Sequence, residues 1–215
     1  MITKHRKDHT SLSHKILLVL ISSLLFLLIL LVVFKLTLDD HKLQNNLIVK
    51  YTHSNEGVGE HHKVLTFIMD QNDSLNINRS VISNKEINHL EDVKMLYNRM
   101  IILIYILLII VPLLILFLGN LFDVLKYLIF PSVLALLILF LLILFPQKSF
   151  QIFHEIFFIH GNYSFNPSSF LITLYSPYFF YALVLIVFLR TFVLIFPLII
   201  IGLLLSFRLN SFLNR

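Results

Sequence analysis

The residues best placed to do chemistry are a few polar side chains in a very apolar chain. His154 and Glu155 stand side by side in "QIFHEIFFIH", residues 151–160. An adjacent His and Glu suggest either a zinc site or an acid–base site. The zincin helix needs H-E-x-x-H, because residues four apart share one face while the Glu serves as base. Here the next histidine, His160, comes six residues after His154. At about 100° per residue the two imidazoles point roughly 120° apart, and Phe158 occupies the position of the second ligand. The spacing argues against metal and leaves proton transfer, for which an imidazole titrating at about 6.5 suits neutral pH.

A second histidine, His89, lies in "SNKEINHLEDVKMLYNRM". Asp92 follows it by three residues, on the same helical face, where a carboxylate can orient an imidazole. Arg190 stands inside the last apolar stretch. A cation at the centre of a bilayer costs about 2.5–3.5 kcal/mol, so it must either snorkel to headgroups or line a cavity and hold a carbonyl or oxyanion. The bland reading of the histidines is that they are interfacial anchors. His5, His9, His14, His41, His61 and His62 read as solvated or loop residues.

The elements that hold these residues are set by composition. The 215-residue chain is 58% hydrophobic and only 13% charged, with a mean hydropathy of +0.87. Soluble domains carry about a quarter charged residues, so a water-facing surface cannot be built and the chain is read as an integral membrane protein. Its net charge of +5 calls for no nucleic acid, since basic residues at a membrane face account for it. With no cysteine, disulfides, thiolate metal sites and a cysteine nucleophile are excluded.

Spanning a hydrocarbon core takes roughly 20 helical residues. Four stretches qualify, at 16–38, 100–118, 127–145 and 179–207. The first follows Lys4, Arg6, Lys7 and Lys15 but is too long for a cleaved signal peptide, and it reads as an uncleaved anchor. The N-terminal tail, the turn bearing Asp123 and Lys126, and the tail bearing Arg208 and Arg215 share one side. The positive-inside rule makes that side cytoplasmic, with both termini inside. Residues 39–98 and 146–178 then face outward.

The first outer segment holds nine of the twelve acidic residues. Leu47, Ile48, Val49, Tyr51, Leu65, Phe67 and Ile68 suit it to a small packed extracytoplasmic cap. Ser83 and Glu86 have capping-box spacing, which predicts a helix running uninterrupted at least to Pro112. The second outer segment is aromatic and nearly uncharged, as expected of a segment lying in the headgroup layer. Phe150, Phe153 and Phe157 keep helical spacing there, so a short amphipathic helix carries His154. Both histidines end near the outer interface, and Arg190, about 27 Å above the cytoplasmic end by helical rise, reaches the same level. The fold expected is all-α: four transmembrane helices, an extracytoplasmic cap and an interfacial aromatic segment.

Taken together, four spans, "EINHLEDVKMLYN" before the second, then "FHEIFF", "NPSSF" and "YSPYFF" before the fourth resemble the bacterial lipoprotein intramolecular transacylases. The resemblance covers essentially the whole chain. One departure follows the second motif, where "HGNYSFNP" stands in place of a Trp-containing stretch. The resemblance implies a substrate: a lipoprotein whose N-terminal cysteine carries a diacylglyceryl group and a free α-amine. It also implies the reaction, transfer of the sn-2 acyl chain to that amine at the outer leaflet of a bacterial cell membrane. His89 and His154 would be the proton-transfer pair, with either as base or an acyl-histidine formed. Asp92 would orient His89, and Arg190 or a backbone amide would hold the oxyanion. Lipoprotein and membrane lipids are the partners implied, and no metal or cofactor is required. Two rivals remain. One is a non-enzymatic accessory or sensor with a partner-binding cap, and the other is an interfacial hydrolase or metallopeptidase.

Overall fold

The computed structural model of the chain describes residues 12–52, 56–70, 74–158 and 163–213. Lys4, His5, Arg6, Lys7, Asp8, His9, His160 and Arg215 lie outside these residues. Regular structure among the described residues is helical: α1 (Leu12–Leu38), α2 (His41–Thr52), α3 (Glu56–Met69), α4 (Asn84–Leu118), α5 (Leu121–Tyr127), α6 (Ile129–Leu144), α7 (Pro146–Phe157), α8 (Phe170–Leu174) and α9 (Pro177–Leu213). Four stretches are long and apolar enough to cross a membrane, at Leu12–Leu38, Asn84–Leu118, Leu121–Leu144 and Pro177–Leu204. The molecule is an all-α, multi-pass membrane protein.

Small polar residues let the spanning helices approach closely, as they do in other membrane bundles. Ser22, Thr37, Ser132 and Thr191 are fully buried. The Ser22 hydroxyl lies 2.7 Å from the Leu18 carbonyl and 2.8 Å from the Val124 carbonyl, which seats α5 on α1. Gly202 does the same for α9. A Cβ there would lie 2.6 Å from the Leu125 carbonyl oxygen, so only glycine lets the α5 backbone pass.

The third apolar stretch is not one helix. Pro131 has no N–H to donate and crowds the carbonyl four residues back, so the ladder breaks after Tyr127. Leu128 keeps right-handed helical angles and carries the chain into α6. Asp123 and Lys126, expected in a turn, lie within α5. The turn itself is Gly119–Asn120, where the Asn120 side chain accepts the Phe122 N–H at 2.9 Å.

The segment between α1 and α4 folds against the ends of three other elements. Leu47, Ile48, Val64 and Phe67 join Leu90 of α4, Leu171 and Leu174 of α8, and Phe179 and Leu183 of α9 in one buried cluster. Of the expected cap core, Leu47, Ile48, Leu65 and Phe67 are buried, while Tyr51 and Ile68 pack at its edge. Val49 is 38% exposed, because α2 turns Gln44, Leu47 and Ile48 inward and Val49 falls on the opposite side. The buried Gln44 amide donates to the Thr37 carbonyl at 2.9 Å, tying α2 to the end of α1.

Candidate active site

The start of α4 is built as its sequence predicts. The Ser83 side chain accepts the Glu86 N–H, and Glu86 reaches back to the Ser83 N–H at 2.9 Å, completing the capping box. The helix then runs through Pro112 to Leu118 without a break. Glu86 does more than cap. Its carboxylate is buried, and Oε1 accepts the Leu171 N–H at 2.9 Å. One turn further along, His89 is also buried.

The second histidine arrives on α7. Pro146 begins that helix at its first position, where a missing N–H costs nothing. The helix turns its apolar residues outward, with Phe153 and Phe157 44% and 50% exposed. His154, on the other face, is buried. This inverts the usual amphipathic arrangement and suits a helix whose outer face meets lipid.

The two imidazoles meet. Their ring centroids are 5.9 Å apart with planes inclined by 22°. Aromatic rings enclose them. Phe158 lies 4.6 Å from the His89 ring and 5.2 Å from that of His154. Phe165 stands edge-on to His89 at 5.4 Å, Tyr163 lies 5.2 Å from His154, and Phe150 only 4.0 Å. Such a cage lowers the local dielectric and favours neutral imidazole. Burial accordingly holds His154 below the usual histidine value, against the opposing pull of its bond to the Phe150 carbonyl.

That bond also sets a tautomer. His154 Nδ1 lies 2.7 Å from the Phe150 carbonyl oxygen. A carbonyl only accepts, so the neutral ring carries its proton on Nδ1 and presents the lone pair of Nε2.

The other expected site residues are placed as follows. Asp92 is half-buried on α4, three residues beyond His89. Glu155 is exposed and accepts the Gln151 amide at 2.8 Å, facing away from the pair. Arg190 of α9 donates to the Thr37 hydroxyl at 3.2 Å and to the Asp40 carboxylate at 2.7 Å. Its guanidinium is thus committed to the junction of α1 and α2. The hydrogen bond from Arg190 holds the Asp40 carboxyl below the usual carboxylate range. Among the described residues no group of three or more His, Asp or Glu is arranged to hold a metal ion.

Four residues have roles that their local sequence does not show. Phe158, one of the aromatic residues of the second outer segment by sequence and an obstacle to zinc, is the ring shared by both histidines. Phe165 and Tyr163 lie in a loop with no periodic pattern, so nothing local marks them as part of the cage. Glu86 was legible as a cap but not as an anchor for Leu171, 85 residues away.

Beside the pair, a polar groove of about 560 Å³ opens between residues 79–86 and 164–169, with Phe165 in its wall.

No curated protein sequence matches this chain. Among solved structures, the fold is similar to the membrane-integral lipoprotein intramolecular transacylase Lit from Bacillus cereus, at a TM-score of 0.61, 18% identity and 97% coverage of both chains. The family model for lipoprotein intramolecular transacylase Lit matches residues 10–180. That match takes in well over half of the sequence, and the chain belongs to the lipoprotein intramolecular transacylase Lit family.

Proposed function

We propose that this transacylase moves the sn-2 acyl chain with His154 as general base and His89 as general acid, at the outer leaflet of a bacterial cell membrane. The observation that carries the reading is the buried, stacked histidine pair inside its aromatic cage. The substrate's α-amine has an ordinary pKa of about 7.7–8.0, so a useful fraction is neutral near pH 7. As its nitrogen attacks the sn-2 ester carbonyl, His154 Nε2 takes the amine proton. The tetrahedral intermediate collapses, the bond to the glyceryl oxygen breaks, and neutral His89 gives its ring proton to that oxygen while taking the proton held by His154 on its other ring nitrogen, so both imidazoles end neutral. The products are an N-acyl cysteine and a free sn-2 hydroxyl, so atoms and charge balance. Proton transfer by a positioned side chain contributes about 10²- to 10⁴-fold. Because amine and ester belong to one molecule, the cage chiefly has to hold them in attacking geometry.

The assignment of base and acid rests on the Nδ1 bond of His154, which leaves Nε2 as an acceptor. Arg190 serves as a brace that fixes α9 to the end of α1, and Asp92 orients the α4 side of the pair. Both termini lie in the cytoplasm, which sets residues 39–98 and 146–178 outside as cap and interfacial segment. The membrane crossings are then 16–38, 100–118, 127–145 and 179–207.

Mass spectrometry of lipoprotein N-terminal peptides from cells expressing the chain tests the proposal. Wild-type protein yields the N-acyl, monoacylglyceryl form, and His89→Ala and His154→Ala abolish it. Persistence of the product in both variants would overturn the histidine roles. Unaltered diacylglyceryl peptides with wild-type protein would overturn the activity.

A further inference from the structure

The histidine pair accounts for the cysteine and its acyl chains, but not for the rest of a lipoprotein. The polypeptide behind the cysteine must leave the reaction centre toward water. The groove of about 560 Å³ beside the pair is a polar way out. One wall is the turn and first helical turn at Arg79–Glu86, and the other is the loop at Ser164–Ser169. Phe165 belongs to both places, as it lines the groove and stands edge-on to His89 at 5.4 Å. The groove therefore begins one ring away from the proposed chemistry.

Two cross-links hold the walls together. Glu86 Oε1 accepts the Leu171 N–H at 2.9 Å, and Lys85 Nζ donates to the Ser164 carbonyl at 2.6 Å. The Glu86 carboxylate is further occupied by Ser83, whose N–H and hydroxyl both donate to Oε2. Other groups remain available to a ligand. Arg79 is exposed and forms no ion pair among the described residues. The Ser169 hydroxyl is buried and has no hydrogen-bond partner among them. With Glu86 turned to its own backbone partners, Arg79 and Lys85 leave the groove positively charged. Its volume lies within the usual range for ligand sites, about 300–1,000 Å³.

We infer that this groove binds the extended peptide immediately following the acylated cysteine, and that Arg79 selects an acidic side chain there. The inference rests on the transacylase reading, since Phe165 matters only if His89 stands at the reacting ester.

The test uses the full chain in vesicles of zwitterionic phospholipid. Synthetic diacylglyceryl-cysteine peptides carry Asp-Glu, Ser-Asn or Lys-Arg after the cysteine, beside a peptide-free diacylglyceryl-cysteine amide. Mass spectrometry reads the N-acyl product. The wild-type protein should prefer the acidic over the basic peptide by about two- to fivefold in kcat/KM, the worth of an exposed charge pair. Arg79→Glu should reverse that order. Arg79 is exposed and forms no ion pair among the described residues, so the variant should keep the fold. Equal kcat/KM for all peptides, or an order unchanged in Arg79→Glu, would overturn the inference. Rates that follow added anionic phospholipid instead of peptide sequence would also overturn it and mark a headgroup site. Turnover of the peptide-free amide by wild-type protein separates the two readings. If it proceeds without peptide discrimination, only the groove assignment fails; if neither it nor any of the peptides is turned over, both fail.

Discussion

Glu86 is the residue whose loss should reveal how the site is held together. It is buried at 2% exposure and accepts three hydrogen bonds, from the Leu171 N–H at 2.9 Å, the Ser83 N–H at 2.9 Å and the Ser83 hydroxyl at 2.7 Å. Glu86→Ala leaves the buried Leu171 N–H without its acceptor, at about 1–3 kcal/mol. It also removes the capping box, where cap losses run about 0.5–2 kcal/mol. Together these predict a destabilisation of roughly 1.5–5 kcal/mol. The effect should reach the chemistry, because the loop preceding Leu171 presses Phe165 on His89 and Tyr163 on His154. A displacement of about 1 Å at a reacting centre can cost 10²-fold. Glu86→Gln separates the two bonds, since its carbonyl oxygen still accepts from Leu171 while its amide cannot accept from Ser83. The assays are thermal denaturation in detergent and kcat/KM on a synthetic diacylglyceryl lipopeptide. Glu86→Ala should lower both, and Glu86→Gln should restore most of the activity. A thermal midpoint and a kcat/KM both within error of wild type in Glu86→Ala would refute the reasoning.

Further outcomes follow from other parts of the molecule. Arg190→Gln should cost at most about 1 kcal/mol and less than tenfold in kcat, as befits a brace whose ion pair is about one-third exposed. A loss of about 10²- to 10³-fold would instead mark an oxyanion donor. Because burial lowers the His154 pKa, its base form persists below pH 6.5, so kcat/KM should have an acid limb below that value and rise with pH toward the substrate amine's pKa. A further limb lying between 6.5 and the substrate amine's pKa would contradict the burial argument. His61, expected to be a solvated or loop residue, is instead buried in α3 with Nδ1 2.9 Å from the Tyr175 hydroxyl, and desolvation lowers it from 6.5 to about 4. The unfolded chain binds this proton more tightly, so stability is full above pH 6.5 and declines by roughly 3 kcal/mol as pH falls to about 4. His61→Phe should flatten that part of a pH–denaturation profile. Gly202→Val should lower the thermal midpoint strongly, because the Leu125 backbone cannot retreat from a Cβ without parting α5 from α9.

Much of the site was legible because its signals are local. A capping box is a four-residue pattern, and Ser83–Glu86 starts α4 where the spacing indicated. Helical spacing of Phe150, Phe153 and Phe157 placed His154 on a short helix after Pro146, and α7 is that helix. The break at Leu128 had its cause in view at Pro131, but a spanning stretch read by apolarity alone hides a proline's backbone effect. Val49 was misplaced because composition names core residues without their face, and α2 packs only one side.

Length and apolarity determined by themselves that this chain crosses a membrane with four helical stretches, since backbone groups in lipid have no other way to be satisfied. Residue type alone nominated His89 and His154, because imidazole is the side chain that exchanges a proton near neutral pH. What brings the two rings to 5.9 Å, across 65 residues of sequence, is the packing of α7 and the 163–174 segment on the head of α4. The same packing, not the depth of Arg190 in its helix, turned that guanidinium to Asp40. Periodicity records how a residue faces its own helix; which neighbour lies across that face is decided only when distant segments exclude lipid and water together.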